Sequence, residues 1–411
     1  MLSLAACLIL ASTASAQPKI VLPAPKVGKF DALVPVMAQS PRVLAVSDVH
    51  SMLAIGLDKT ADANVLFVKL DAKGTPAAYG TEIKLPRPPG KGLEKNKTYV
   101  TGVAFHPKLP ILYVWQDIDV YFTNPVPPAT PPEMKVFDHL WVVNFAKDPP
   151  VVTVGVCRGD EFIFGQGGGA LAVDPTGSYL YVPNMREIKN PGSQRLGRYP
   201  LDADGLPKVA ESKDPVPARI KKIEELNAAG KFSPPQMTPI EYIHLFALNA
   251  FGAGHTFIPV GKDVVLSSGN QGLMSWRPEE KHVILHALPF KLAGHTQFTI
   301  HPTLPAIFST ASYAPPYIDS FFRAEQVEGY LTGLPKQYVI DKSHLTGYPA
   351  VLAKQKKLLV GGQYSVYVMD LDDKGFPIGT PTQVLVNIPQ VRGMVTSERF
   401  ERVYVAVEVS R

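Results

Sequence analysis

The sequence contains too few cysteines for a fold that depends on disulfides. Its 411 residues include only two, Cys7 and Cys157. Cys7 lies in an N-terminal segment that we expect to be removed, and its loss leaves Cys157 without an intramolecular partner. Because Cys157 ends an apolar run over residues 151–157, it is typical of a small buried residue rather than of a nucleophile. Stability must therefore come from packing.

The motifs of common enzyme chemistry are also absent. The chain has no Cys-x-x-Cys pair, no His-Glu-x-x-His run, no phosphate-binding loop and no Gly-x-Ser-x-Gly elbow. The glycine run at residues 166–169 precedes an apolar strand rather than a helix, so it is not a nucleotide-binding loop. We therefore predict no metal and no cofactor.

Charge of either sign is never concentrated. The 41 Lys and Arg residues exceed the 36 Asp and Glu residues by a net charge of +5, and no dense basic block occurs. This balance argues against a nucleic-acid-binding surface.

Residues 1–16 carry no charge at all. They combine an apolar run over residues 2–10 with small residues before Gln17, a pattern typical of a cleaved secretory signal. The run is shorter than the ~20 apolar residues that span a bilayer, and no later stretch qualifies. We expect residues 17–411 to be a periplasmic or secreted monomer. The missing basic residue and the lipobox-like residues 4–7 leave open an upstream start and a lipid anchor.

What the sequence has in abundance is apolar segments separated by proline and glycine turns, which favours an all-β chain. The clearest unit, residues 169–184, is an apolar strand, a turn and a second apolar strand. With the residue just before the turn as anchor, we count seven copies. The anchors are Val46, Phe105, Val173, Val260, Ile300, Leu352 and Thr396. Their shortest spacings match a four-stranded propeller blade of ~40 to 50 residues.

A second landmark is a strand that ends in an Asp-x-x-Gly turn, at residues 71–74, 202–205 and 372–375. These turns are typical of the connection between the third and fourth strands of a blade. We therefore predict a single seven-bladed β-propeller of four-stranded antiparallel blades over residues 17–411. The last copy stops at Arg411 after two strands, so residues 20–37 are expected to complete that blade.

With these features the chain resembles the YVTN-type seven-bladed propellers, and within them the lactonase-like family that includes propeller-type 6-phosphogluconolactonases. The resemblance is carried by residues 173–182 and by the Leu-Asp-x-x-Gly-x-Pro turns. It implies the fold. The repeat motif describes strands and turns and brings no catalytic residue, so the chemistry stays open.

The two faces of such a propeller differ in loop length. Turns between strands one and two and between three and four lie on one face, which we call the short-turn face. The other connections lie on the long-loop face, where we place the stretches 79–98, 117–137, 183–196, 209–254 and 311–330. Long loops over a channel mouth predict a ligand site. Within the insertion 209–254, Pro215 and Pro217 precede residues 218–229 and Gly230 follows them, which predicts a short helix over 218–229.

Four histidines divide between these faces. His106 and His301 take the position of Asp174 in short turns, which predicts a turn-capping role. His255 and His295 each stand in Gly-His-Thr at the long-loop end of an inner strand. They can converge as ligands or as a general base, or they can hydrogen-bond neighbouring blades, as the histidine of WD-type repeats does.

Charged residues at the long-loop face are the candidate ligand-binding groups. Arg392 starts the last inner strand and can hold an anionic group or pair with a neighbouring blade. The others are placed in long loops, where each can ring the mouth or remain a solvated charge: Asp117, Arg186, Glu187, Asp319 and Arg323.

Two functions follow. The favoured one is an exported, non-catalytic propeller that binds a small ligand or a protein partner on its long-loop face. The alternative is a lactonase-like hydrolase, in which His255 or His295 activates water and Arg392 binds a carboxylate or phosphate.

Overall fold

The structure is a computed structural model. It describes residues 20–28, 41–57, 64–86, 98–118, 139–157, 162–164, 171–187, 190–208, 241–245, 257–260, 263–268, 272–277, 282–286, 295–312, 320–327, 330–332, 335–341, 343, 345–388 and 391–407. Every regular element within these ranges is a β-strand, so the predicted all-β class is confirmed. The predicted signal segment and the helix expected over 218–229 lie outside the described residues.

Thirty strands follow one another along the described chain. The first ten are β1 (Ile20–Leu22), β2 (Lys26–Val27), β3 (Pro41–Ser47), β4 (Met52–Leu57), β5 (Asn64–Lys69), β6 (Thr81–Lys84), β7 (Thr98–Phe105), β8 (Ile111–Ile118), β9 (His139–Asn144) and β10 (Val151–Cys157). The next ten are β11 (Phe162–Phe164), β12 (Ala172–Val173), β13 (Tyr179–Glu187), β14 (Asn190–Pro200), β15 (Glu241–Leu245), β16 (Phe257–Val260), β17 (Asp263–Ser268), β18 (Gly272–Arg277), β19 (His282–His286) and β20 (His295–Ile300). The last ten are β21 (Ala306–Ser312), β22 (Ser320–Val327), β23 (Tyr330–Leu331), β24 (Lys336–Ile340), β25 (Leu345–Leu352), β26 (Lys357–Gly362), β27 (Val366–Leu371), β28 (Pro377–Val384), β29 (Val391–Ser397) and β30 (Arg402–Val407).

These strands pair into antiparallel meanders. Strands β3 to β6, β7 to β10 and β16 to β19 form four-stranded sheets, and β11 to β15 form a five-stranded one. Strands β20 to β24 with β1 and β25 to β28 with β2 form the next two sheets, and β29 pairs with β30 alone among the described strands.

One inner strand of each sheet contacts the inner strand of the next. Strands β3, β7, β12, β16, β20, β25 and β29 touch in that order, and β29 touches β3 again. Such a closed cycle of meanders is a β-propeller, which confirms that part of the prediction. Seven four-stranded blades are not shown, because the sheet β29–β30 contains only two described strands.

The last and first sheets are joined by polar contacts. Ser397 Oγ donates to Asp48 Oδ1 over 2.5 Å. In the same interface, Arg402 Nε donates to the carbonyl oxygen of Lys73 over 2.7 Å. The bonded residues are 349 and 329 positions apart in the sequence, so these bonds fasten the two ends of the cycle.

The core lies between sheets, which explains why inner strands are apolar at successive positions. In β8, Leu112 and Val114 belong to the cluster shared with β4 and β5. Tyr113 and Trp115 point the other way, into the cluster shared with Leu180. Each strand therefore buries both faces of its alternation between two neighbouring sheets.

The N-terminal segment does not do what its sequence predicted. Strand β1 pairs in parallel with β24, and β2 pairs in parallel with β28, so residues 20–28 add outer strands to two other sheets. Leu22 is buried against Phe321 and Tyr338. The expected completion of the last blade by residues 20–37 is wrong for residues 20–28, because the free edges of β24 and β28 take up these strands. Residues 29–37 lie outside the described ranges.

The large insertion also departs from prediction. Lys208 N donates to the carbonyl oxygen of Pro200, and Glu241 lies opposite Arg198 in the neighbouring register of β14. The chain therefore leaves the outer edge of this sheet after Lys208 and re-enters it at Glu241. Residues 241–245 therefore belong to the outer strand of this sheet, although the prediction placed all of 209–254 between blades, and residues 209–240 lie outside the described ranges.

Three other stretches predicted as long loops contain strands. Residues 79–98 include β6, residues 183–196 form most of the hairpin of β13 and β14, and residues 311–330 include β22. The predicted boundaries were wrong because polar or proline-containing strands can carry the same composition as loops.

Candidate functional site

The short-turn face is occupied by turns that bond their own backbone. In the turn of residues 202–205, Asp202 Oδ1 accepts hydrogen bonds from the backbone N–H groups of Asp204 and Leu206, over 3.0 and 2.7 Å. The turns that start at Asp71 and Asp372 repeat this geometry. The glycine that ends each turn has a φ of +74° or +75°. The predicted Asp-x-x-Gly turns are confirmed.

Each of these glycines also accepts a hydrogen bond from the preceding sheet. Tyr113 Oη donates to the carbonyl oxygen of Gly205 over 2.6 Å. Tyr404 Oη donates to the carbonyl oxygen of Gly74 over 2.7 Å. Burial raises the pKa of Tyr404 to about 12, and that of Tyr113 further still. Both phenols are therefore held protonated as donors.

The third turn uses an arginine for the same purpose. Phe308 takes the place of Tyr113 and Tyr404 as the third residue of a second strand, and it has no hydroxyl group. Arg323, directly opposite Phe308 in the register, supplies the donor. Its Nε donates to the carbonyl oxygen of Gly375 over 3.0 Å, and its second terminal nitrogen donates to that of Lys374 over 2.7 Å.

Arg323 is therefore a structural residue of the short-turn face. Its guanidinium carbon lies 3.7 Å from the ring centre of Phe376, and burial lowers its pKa. The predicted placement in a long loop at the mouth is wrong. Arg323 lies in strand β22, in a stretch that the sequence had predicted to be a loop. Its two carbonyl partners, Gly375 and Lys374, belong to a turn of the next sheet.

The two histidines in short turns cap those turns, as predicted. His106 Nδ1 accepts the N–H groups of Lys108 and Leu109 over 3.1 and 2.9 Å, and its Nε2 lies 3.1 Å from the carbonyl oxygen of Gly177. His301 Nδ1 accepts the N–H group of Leu304 over 3.0 Å. Burial lowers the pKa of both imidazoles, which keeps the accepting nitrogen unprotonated.

The long-loop end of the channel is built differently. The register of β3 passes from Pro41 opposite Leu57 to Val43 opposite Gly56, so Arg42 is an extra, bulged residue. In β29, Val391 lies opposite Val407 and Gly393 lies opposite Ala406, so Arg392 is likewise an extra residue. Strand β7 has an extra Thr101, and β25 has an extra Thr346 and an extra Tyr348.

These bulges share one place in the propeller. Strands β25, β29, β3 and β7 are consecutive in the cycle of inner strands, and each bulge lies near the start of its strand. The starts of inner strands meet at the long-loop face. A bulge twists the strand and redirects a side chain, which is why bulges accumulate beside binding sites.

Residues other than glycine adopt positive φ angles at both ends: Ser51, Lys356 and Glu401 lie in turns of the short-turn face, and three others lie at the long-loop end. Tyr348 has a φ of +58°, and in the connection from β28 to β29 Leu385 and Asn387 have φ values of +52° and +65°. A bulky residue such as leucine or tyrosine adopts this region at a cost. In that connection, Ile388 N donates to the carbonyl oxygen of Tyr364 over 3.2 Å. The tyrosine side chain of Tyr364 is exposed, as is that of Arg392.

The remaining predicted site residues are only partly described. His255 and Asp319 lie outside the described residues. His295 is the first residue of β20, opposite Ser312, so its backbone starts an inner strand at the same end as Arg392.

Three other candidates lie in strands rather than in loops. Asp117 is paired with Tyr99 in β8. Arg186 and Glu187 lie in β13, opposite β11. The structure places the backbone of these three residues and does not bring them into one described cluster.

The bulged residues Arg42, Thr101 and Tyr348 were missed from the sequence. A signal for them existed, since each stands four residues before a repeat anchor, as does Arg392.

Within the described ranges, no three His, Cys, Asp or Glu side chains are grouped so that they could hold a metal ion. No helix of the described chain is long and apolar enough to cross a bilayer.

Comparisons with known proteins find similar structures but no similar sequence. No family model and no curated protein sequence matches the chain. A protein of Lactobacillus plantarum has a similar structure, with a TM-score of 0.53, 11% identity, and coverage of 88% of this chain and 89% of that one. The periplasmic gluconolactonase of Pseudomonas aeruginosa matches with a TM-score of 0.48, 11% identity and 84% and 86% coverage. The β-propeller domain of the trilobed protease of Pyrococcus furiosus matches at 0.46, 8% identity and 91% and 92% coverage. At such identities the likeness concerns the fold alone.

Proposed function

We propose that this chain is an exported seven-bladed propeller that binds a small ligand at the long-loop end of its channel without converting it. The observation that carries this proposal is the row of bulges in β25, β29, β3 and β7, at one register and at one end. A bulge leaves one residue outside the hydrogen-bond ladder, so four bulged neighbouring strands favour a site that needs redirected side chains.

The contrast with the other face supports the same choice. On the short-turn face, Tyr113, Tyr404 and Arg323 are committed to backbone carbonyls of the next sheet. Side chains that hold the propeller together there are not available for a ligand. At the long-loop end, Arg392 is the exposed extra residue of a bulge.

A lactonase-like hydrolase is the second candidate. It is favoured by the position of His295, which starts the inner strand β20 at the same end as Arg392. An imidazole at the mouth can activate water while an arginine holds the anionic group of the substrate.

Export is part of the proposal and is tested separately. Residues 1–16 have the pattern of a cleaved signal, and we propose a periplasmic or secreted mature chain that begins near Gln17. N-terminal sequencing of the protein recovered from outside the cytoplasm should begin there, and a chain retained with Met1 in the cytoplasm contradicts export.

Binding is tested by blocking the mouth. In a background with both cysteines replaced by serine, Tyr364→Cys is labelled with a polyethylene glycol maleimide, and Lys354→Cys on the short-turn face is labelled as the control. A metabolite library is screened by thermal shift against both proteins. Compounds that stabilise the wild type should lose their effect only with the label at position 364. Stabilisation that survives this label overturns the proposed location.

Catalysis is tested with a panel of sugar and aryl lactones. The non-catalytic proposal expects no hydrolysis above the buffer rate. The hydrolase is the correct function if the wild type turns over a lactone, if His255→Ala and His295→Ala both abolish that turnover, and if Arg323→Met retains it.

A further inference from the structure

We propose that residues 20–28, which we call the strap, are exchanged between two molecules. The outer edges of β24 and β28 are then an interaction surface, and the partner that fits it is the strap of a second copy of this chain. In the structure the strap lies on its own chain, and in the exchanged dimer each molecule gives its strap to the other. This surface is separate from the mouth of the channel.

The main chain of the strap is bound as an added strand. Strands β1 and β2 run parallel to β24 and β28, with Ile20 opposite Tyr338 at one end and Val27 opposite Gln383 at the other. Gly28 N donates to the carbonyl oxygen of Gln383 over 2.9 Å. Sheet edges also take up a strand from another molecule by this kind of pairing.

Two positions of the strap make its binding selective. Leu22 is 6% exposed and belongs to the core cluster that contains Phe321 and Tyr338. A Cβ added to Gly28 would collide with Cγ2 of Thr382, so the end of the strap needs a glycine. The two edges therefore select an extended segment with an apolar anchor and a terminal glycine, which the strap of every copy supplies.

The strap is held by few buried side chains. Ile20, Val21 and Val27 are 40%, 64% and 74% exposed, although all three are aliphatic. Elements with so few buried contacts open at a low free-energy cost. An open strap leaves two sheet edges unpaired, and the strap of another copy restores the same contacts.

The chain that follows the strap is long enough to reach another molecule. Residues 29–40 separate Gly28 from Pro41, where β3 begins. Twelve extended residues span up to about 40 Å. The monomer and the exchanged dimer contain the same strap contacts, so the monomer is favoured by the effective concentration of its tethered strap, on the order of 1 mM. We therefore expect the fraction of dimer to rise with protein concentration.

Disulfide trapping tests the exchange in the full chain. In a background with both cysteines replaced by serine, one chain carries Val21→Cys and a second, tagged chain carries Val339→Cys. The two positions lie opposite each other in the register of β1 and β24, and neighbouring strands are close enough for a disulfide. Oxidation of the mixture should give a disulfide-linked dimer that contains both chains.

The same two substitutions in one chain verify the register. At low protein concentration they should close a disulfide within the monomer. If this disulfide does not form, the pairing on which the exchange depends is contradicted.

Random collision is measured with Val151→Cys in place of Val339→Cys. Val151 is exposed on β10, the outer strand of another sheet, where no part of the strap lies. The Val21→Cys chain should couple to Val339→Cys at least ~10-fold faster than to Val151→Cys. Equal rates overturn the exchange.

Two further variants show whether the strap must dock. Leu22→Asp places a charge at a buried position, and Gly28→Val collides with Thr382 without adding a charge. Each should abolish the coupling of Val21→Cys to Val339→Cys.

Sedimentation equilibrium measures the same dimer without a cross-link. The wild type should form dimers as its concentration approaches about 1 mM, and Leu22→Asp and Gly28→Val should remain monomeric. A wild type that stays monomeric, or dimers that persist in both variants, overturn the proposal.

Discussion

Arginine has opposite roles at the two ends of this propeller. At the short-turn face Arg323 is buried, stacks on Phe376 and donates to two carbonyl oxygens. At the long-loop face Arg392 is the exposed extra residue of a bulge. One arginine fastens sheets to each other, and the other stands at an opening. Residue type alone therefore says little about function, whereas the end of the strand on which a residue lies says much.

The largest expected effect comes from removing the buried arginine. Arg323→Met leaves two carbonyl oxygens of the next turn without their charged donor, so the free energy of unfolding should fall by about 3 kcal/mol. Arg392→Met should change it by no more than about 0.5 kcal/mol, as at other exposed sites. Urea unfolding followed by tryptophan fluorescence measures both, and equal losses would erase the contrast between the two faces.

A second substitution shows whether the donor itself matters. In the Arg323→Met background, Phe308→Tyr restores a hydroxyl group at the position held by Tyr113 and Tyr404 in other sheets. It should recover about 1 kcal/mol of the loss. No recovery would mean that the arginine acts through its stacking on Phe376 and not through the carbonyl of Gly375.

The next effect concerns how closely the turns approach the preceding sheet. A Cβ added to Gly205, which has a φ of +75°, would lie 2.7 Å from Ile111 Cδ1 and 3.1 Å from Tyr113 Oη. Gly379 has a φ of +74° with nothing within 4 Å. Gly205→Ala should therefore destabilise by about 2 kcal/mol more than Gly379→Ala, since only the first adds a steric clash to the backbone strain. Equal melting temperatures for the two variants would contradict this.

An effect of about 1 kcal/mol is expected for Tyr404→Phe at neutral pH, with a distinctive pH dependence. The folded-state pKa of Tyr404 is raised from 10.0 to about 12, so its stabilisation is complete below pH 10 and is lost as the pH rises toward about 12. The urea midpoint of the wild type should fall across this window more steeply than that of Tyr404→Phe. Parallel curves would show that this phenol is not a protonated donor.

The smallest expected effect lies on the acid side. The pKa values of His106 and His301 are lowered from 6.5, so the stability that their neutral rings contribute is present above pH 6.5 and is lost as the pH falls below it. The double variant His106→Asp and His301→Asp places at both turns the carboxylate that Asp174 uses naturally. Its melting temperature should fall less than that of the wild type between neutral pH and mildly acidic pH, and an equal fall contradicts the turn-capping role.

The sequence predicted the turns of the short-turn face better than the opposite end. Asp202 and Gly205 indicate a turn through hydrogen bonds and backbone angles that are local to about five residues. The role of Arg323 could not be read in this way, because it depends on a register that places it opposite Phe308 and beside a turn of the next sheet. The bulges at Arg42 and Arg392 were equally hidden, since an extra residue is visible only once two strands are paired.

The parallel strands β1 and β2 set the order in which this molecule can be completed. They are the first described strands to be synthesised, yet their partners β24 and β28 are among the last. Neither can take its place until nearly the whole chain exists, and closing so long a loop is among the slowest steps of folding. The opening strands therefore wait for β24 and β28, and their docking on the outer edges requires a chain synthesised at least as far as Val384.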